Sequence, residues 1–189
     1  MAEGSQSAWL AAVQALREKH AQPKAHRVFV ANGTCCREQG SEKVLADLGK
    51  LFEGTKIRLS QSGCTGAHFA HPTIQVQMAD GRRAIFSGKG MPLKGFAEEL
   101  RAGKMPLANR HAVFTTTGRV DEAQPFFAPQ VRTTLKDAGF CDPTSLGDYV
   151  AVGGFEGLAR ALELGADGVL DLLKKATVRG RGGVGFPMG

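Results

Sequence analysis

The sequence has no long hydrophobic run and few cysteines. No segment of its 189 residues approaches the roughly 18 apolar residues of a membrane-spanning helix, so we predict no membrane span. The apolar stretch at residues 8–16 is short, lacks preceding lysines and is followed by no clear cleavage site, which argues against a secretory signal. We therefore expect a cytoplasmic protein whose four cysteines form no structural disulfides.

Runs of like charge, internal repeats and low-complexity tracts are also absent. The 24 basic and 18 acidic side chains give a net charge of +6, but the basic residues are scattered and rarely interleaved with aromatic ones. This pattern is more typical of a solvated basic surface than of a nucleic-acid interface. We predict a soluble globular protein with no nucleic-acid partner.

Strand-like and helix-like segments alternate in the first hundred residues. Short apolar or alternating runs predict strands at residues 27–31, 57–60, 73–78 and 83–87, and helical spacing predicts helices at residues 7–20, 41–52 and 92–102. The first two strands are joined through a helix and should be parallel, whereas the last two should form a hairpin. The order predicts a thioredoxin-like α/β sheet-and-helix module at residues 24–102, after an N-terminal helix within residues 1–23.

The pattern changes after residue 102. Residues 103–124 resemble a connector, and residues 125–189 are mostly helical in pattern. Helical segments are predicted at residues 125–137, 145–152, 154–164 and 167–175.

The cysteines and histidines gather after the first two strands. Since the ends of neighbouring parallel strands lie close together, thiols that follow them can meet. Thiolate and imidazole suit zinc or a Rieske-like iron–sulfur centre, and the candidate ligands are Cys35, Cys36, Cys64 and His68, with His71 close behind. Adjacent Cys35 and Cys36 have diverging side chains, which favours the alternative of unliganded thiols. Cys141 is expected to be a small packed residue.

The segment RGRGGVGFPMG at residues 179–189 combines five glycines with two arginines. Glycine lets backbone N–H groups approach an anion closely, and arginine adds charge and forked donors. The segment therefore predicts a phosphate-binding loop, with a flexible tail or an RGG-type nucleic-acid segment as alternatives. Because the rest of a nucleotide would need further protein, we expect this chain to be the front portion of a longer one.

Residues 125–189 resemble the start of the flavoprotein, NADH-oxidising subunits of complex I and of its soluble relatives, which include NAD-reducing hydrogenases and NAD-dependent formate dehydrogenases. The resemblance rests on Phe126-Phe127 with Gln130 and Arg132, Asp142-Pro143, Gly153-Gly154-Phe155 and the terminal glycine segment. It implies that Gly180, Arg181, Gly182, Gly183 and Gly185 contact FMN and that Phe186 packs near the NADH adenine. It implies no catalytic side chain here and a [4Fe–4S] cluster only beyond residue 189.

Residues 24–102 resemble the thioredoxin-like ferredoxin module that is fused to several of these flavoproteins and normally holds a [2Fe–2S] cluster. Cys36 and Cys64 match one ligand each, but Ala31 and His68 stand where two cysteines are expected. Alanine cannot bind iron, so we expect no standard cluster. This degenerate module is closest in type to that of the formate dehydrogenase beta subunit, where it would be a structural remnant that helps docking.

Together these features predict the N-terminal portion of an NADH:acceptor flavoprotein subunit. It would exchange hydride between NAD(H) and FMN beside other iron–sulfur subunits, and the fragment alone would be inactive. The alternative is a non-catalytic thioredoxin-like interaction or metal-carrier module with a basic glycine-rich tail.

Overall fold

The computed structural model describes residues 3–20, 25–106, 111–116, 126–127 and 129–188. Its strands are β1 (Arg27–Ala31), β2 (Arg58–Ser62), β3 (Thr73–Gln77), β4 (Arg83–Ser87) and β5 (Ala112–Thr116). They form one mixed sheet in the order β2-β1-β3-β4-β5. β1 and β2 are parallel, and the other pairs are antiparallel. The predicted mixed α/β class, parallel first pair and hairpin are thus confirmed.

The helices are α1 (Glu3–His20), α2 (Thr34–Glu38), α3 (Ser41–Phe52), α4 (Leu93–Arg101), α5 (Leu146–Ala151) and α6 (Glu156–Ala176), with a 3-10 turn at His68–Ala70. Gly165 interrupts α6 with φ 69° and ψ 175°, a backbone conformation open to glycine because it has no Cβ. The break divides α6 into the two helical segments that the sequence predicts. Among the described residues no helix is both long and apolar enough to cross a membrane.

Apolar side chains cover both faces of the sheet, and its inner strands are therefore buried on both sides. Side chains alternate along β1, so Val28 and Val30 join the larger core cluster under α3 and α4, while Phe29 joins a second cluster on the opposite face. The second cluster also contains Phe127 and Phe140. Residues that follow β5 therefore cover the face that α3 and α4 leave open.

Two predicted segments differ from the structure. The expected connector at residues 103–124 contains β5, which pairs with β4 across an irregularity between Ile85 and Phe86. The helix expected at residues 125–137 is absent from its described part, which forms turns. Pro129 has no N–H to donate, and β-branched Val131 and Thr133 have low helix propensity. The division of the chain into domains stays a prediction, and residues 107–110 and 117–125 lie outside the described ranges.

A buried ion pair ties α5 to the sheet. The Asp148 carboxylate on α5 is 2% exposed, and it accepts hydrogen bonds from the Arg27 guanidinium at the start of β1 and from the Asp142 N–H at 3.0 Å. Ser145 caps α5 by accepting a hydrogen bond from the Asp148 N–H. The Arg27 guanidinium also lies 4.5 Å from the centre of the Phe29 ring. One carboxylate thus holds both the start of β1 and the loop before α5.

We expect Asp148→Ala to destabilise the protein by about 3–5 kcal/mol, because removing one partner leaves the other charge of a buried pair uncompensated. The free energy of unfolding, measured by urea denaturation, tests this. The matched control is Asp47→Ala, which removes the solvent-exposed Lys43–Asp47 pair on α3 and should cost far less. Equal losses in the two variants would contradict a dominant role for Asp148.

Candidate functional site

Two loops that carry cysteine and histidine leave the sheet side by side. At the end of the parallel pair Ala31 lies opposite Ser62, and the Asn32 N–H donates to the Ser62 carbonyl at 3.0 Å. The first loop leads directly into α2, which carries both Cys35 and Cys36. The second loop carries Cys64 and continues into the 3-10 turn. The sequence-based expectation that the two loops meet is confirmed.

Four side chains converge in these loops. The ligating atoms of Cys35, Cys64, His68 and His71 all lie within 4.8 Å of one another. Cys64 Sγ is 3.3 Å from His71 Nε2, and the two imidazole rings are 4.8 Å apart between centroids. His71 is buried, Cys64 is half-buried, and Cys35 and His68 are exposed. The cluster is therefore anchored in the protein on one side and open to solvent on the other.

Cys36 lies beside this set, although the sequence placed it within the candidate ligands. Its Sγ is 3.8 Å from His71 Nε2 and 4.0 Å from Cys35 Sγ. Burial raises the pKa of the Cys36 thiol to about 12, so the thiol stays protonated at neutral pH. Burial and the nearby charge of His68 lower the pKa of His71, which favours the neutral imidazole that metals bind.

His71 is the ligand candidate that the sequence did not assign. The sequence shows only that Cys64, His68 and His71 follow one another within eight residues. The 3-10 turn between the histidines brings their rings together, with the His71 N–H donating to the His68 carbonyl at 3.2 Å. The spacing does not show that the rings of His68 and His71 come together, because that depends on the three-residue 3-10 turn.

The donor set does not fit a standard [2Fe–2S] cluster. Ala31, which stands at an expected cysteine position, is fully buried at the end of β1 and offers only a methyl group. A two-iron cluster also divides its ligands between two metal ions bridged by sulfide, so ligands on different irons are further apart than those of a single ion. The four ligating atoms here are grouped more compactly than that arrangement requires.

The predicted phosphate loop is an ordered turn after α6. The Gly180 N–H donates to the Phe186 carbonyl at 2.8 Å, and the Met188 N–H donates to the Val178 carbonyl at 3.0 Å. Gly183 and Gly185 have φ values of 108° and 67°. All the residues that the sequence predicts for the FMN and NADH site lie in this turn: Gly180, Arg181, Gly182, Gly183, Gly185 and Phe186. The Phe186 side chain is 74% exposed.

Comparisons with known proteins give partial similarities. The chain is 48% identical over 60 residues to the NADP-reducing hydrogenase subunit HndC of Solidesulfovibrio fructosivorans, a match that covers 32% of this chain and 12% of the relative. It is 42% identical over 45 residues to an NADH-quinone oxidoreductase subunit of Aquifex aeolicus, covering 24% and 11% respectively. No protein-family profile matches the chain.

These similarities support the resemblance in its broad form, to subunits of NAD(P)-linked oxidoreductases. The matched segments span only about an eighth of the length of either curated relative. Neither name mentions formate, so the formate dehydrogenase type stays a prediction.

In the reduced, metal-free chain, we expect an alkylating reagent to modify exposed Cys35 well before buried Cys36. The thiolate is the form that reacts with the reagent. When the pH is far below the pKa of a thiol, the thiolate fraction rises about tenfold for each pH unit. Labelling of Cys36 should therefore keep accelerating from neutral to alkaline pH. Time-resolved iodoacetamide labelling with peptide mass spectrometry measures both rates. Equal rates at neutral pH would contradict the buried position of Cys36.

Proposed function

We propose that this chain is the N-terminal portion of an electron-transfer flavoprotein subunit. The subunit exchanges hydride between NAD(H) and FMN within a multi-subunit iron–sulfur complex of the formate dehydrogenase or NAD-reducing hydrogenase type. The observation that carries the proposal is the 48% identity over 60 residues to a hydrogenase subunit. The shorter match to an NADH-quinone oxidoreductase subunit supports the same class of enzyme.

The terminal glycine turn offers a donor set that suits the phosphate of FMN. Gly183 and Gly185 have positive φ, a conformation that recurs in the backbone nests whose N–H groups bind anions. A Cβ built on Gly182 or Gly183 would meet no atom within 4 Å, so this side of the turn is open to a ligand. In this proposal Gly180, Arg181, Gly182, Gly183 and Gly185 hold the phosphate, and Phe186 packs beside the NADH adenine.

FMN, when bound, supplies the hydride and single-electron chemistry. The chain's own contribution is to fix and orient its ligands. The Arg179 guanidinium donates to the Gly185 carbonyl at 3.1 Å, which braces the turn from inside. This bond leaves Arg181, at the exposed tip, as the cation that faces an incoming anion.

The surface of α6 suits burial against more protein. No residue of this helix is buried, and it exposes several leucines that an isolated helix would leave in water. They are Leu158, Leu170, Leu172 and Leu173. Several large apolar side chains exposed on one element are more often found at a protein interface than on a free surface. It supports the proposal that other iron–sulfur subunits, or further parts of the same polypeptide, pack here.

A second candidate function is a non-catalytic metal-carrier or interaction module, which the cysteine–histidine cluster favours. The coding sequence after Gly189 separates the two functions. The flavoprotein function requires the reading frame to continue and to encode clustered cysteines for a [4Fe–4S] centre. A stop codon directly after Gly189 would favour the module.

In the full-length gene product, we expect Gly183→Val to weaken FMN binding about 5- to 150-fold. This range corresponds to the loss of roughly 1–3 kcal/mol of hydrogen bonding to the charged phosphate. A valine cannot easily adopt the positive φ and would project into the open side of the turn. Flavin content, FMN titration and NADH-driven dye reduction measure the effect. The matched control is Gly81→Val in the β3–β4 turn, where φ is also positive at 89°. Equal flavin loss in both variants, or a fully active Gly183→Val, would place the site elsewhere.

A further inference from the structure

We infer that Cys35, Cys64, His68 and His71 form a mononuclear, four-coordinate zinc site. Two thiolates and two imidazoles are a donor set that Zn²⁺ binds in closed tetrahedral sites. All four ligating atoms already lie within 4.8 Å of one another. The inference is independent of the proposed flavin chemistry, because it concerns a different part of the chain.

The separations between the four ligating atoms are close to those around a single ion. Zn–S bonds of about 2.3 Å and Zn–N bonds of about 2.0–2.1 Å in a tetrahedron place the ligating atoms about 3.3–3.8 Å apart. The Cys64 Sγ to His71 Nε2 distance of 3.3 Å falls in that range. The remaining adjustment is on the order of 1 Å, and rotation of the exposed Cys35 and His68 side chains among their rotamers supplies it.

The backbone around the site holds the ligands in place. The Gly66 N–H donates to Cys64 Sγ at 3.2 Å, a bond of the kind that orients and stabilises a metal-bound thiolate. The Cys36 N–H donates to the Gly33 carbonyl at 2.9 Å and fixes the first turn of α2 beside Cys35. Buried His71 forms the floor of the site, and the exposed Cys35 and His68 leave an entry path for the ion.

Cys36 is the competing ligand. It is fully buried, and its Sγ lies 3.8 Å from His71 Nε2 and 4.0 Å from Cys35 Sγ. The exposed Cys35 thiol belongs instead to the compact set of four. We therefore assign the fourth position to Cys35 and a packing role to Cys36.

This chain would therefore hold a structural zinc site at the place where the ferredoxin module that it resembles holds a redox-active [2Fe–2S] cluster. Zinc has no accessible redox change, so an ion here would join the loops after β1 and β2 without carrying electrons. Because the ion binds only the folded loops, it should stabilise the folded chain by mass action.

The test measures zinc binding by the purified 189-residue chain. After loading with Zn²⁺ and desalting, elemental analysis should find about one zinc per chain, and Co²⁺ should give the visible absorption of tetrahedral thiolate coordination. Zinc should also raise the melting temperature. Cys35→Ala and His68→Gln alter exposed side chains and should keep the fold, as circular dichroism will report. Each should lower zinc affinity at least about tenfold, because each removes a ligand.

Two further variants and one further treatment complete the test. Cys141→Ser, outside the cluster, should keep full zinc binding, and Cys36→Ser should keep the metal if it folds. Anaerobic incubation with iron and sulfide should yield no reducible cluster by visible absorption and EPR. The proposal is overturned by substoichiometric zinc in the unaltered chain, by full affinity in both Cys35→Ala and His68→Gln, or by a stoichiometric reducible cluster. If Cys36→Ser fails to fold, the zinc affinities of Cys35→Ala and His68→Gln still test the proposal.

Discussion

Parallel pairing of β1 with β2 is the constraint on which the cysteine–histidine cluster depends. The register places Ala31 opposite Ser62, so the chain leaves both strands at the same edge of the sheet. Val28, Phe29 and Val30 are all fully buried, with side chains on both faces of β1. A slip of one residue would exchange those faces, so packing on both sides fixes the register and with it the meeting of the two loops.

The second face of the sheet depends on residues far away in sequence. Phe140 packs edge-on against Phe29 with ring centroids 6.4 Å apart, and the Arg83 guanidinium lies 4.8 Å from the centre of the Phe140 ring. The Arg27–Asp148 pair then ties α5 to the start of β1. The strand that leads to the metal-binding loops is thus held from both faces and at its beginning.

Local pattern predicted the elements whose signal is contained in a few adjacent residues. The bounds of β1 and β4 were predicted without error, because short β-branched and aromatic runs have few alternatives. β5 was missed although Ala112–Thr116 is also a short β-branched and aromatic run, because residues 103–124 as a whole were interpreted as a connector. The five-residue helix α2 is too short for helical periodicity. His71 was not assigned because burial and a 3-10 turn, rather than spacing, bring it to Cys64.

Two parts of the chain support two different roles. Partial similarity to NAD(P)-linked oxidoreductase subunits and the exposed glycine turn support a flavoprotein role, whereas the loops after β1 and β2 hold a donor set suited to one ion. The X-ray absorption fine structure of the zinc-loaded chain tests this central claim most directly. We predict two sulfur scatterers at about 2.3 Å and two nitrogen scatterers at about 2.0–2.1 Å. A first shell dominated by oxygen, or one with a single sulfur, would contradict it.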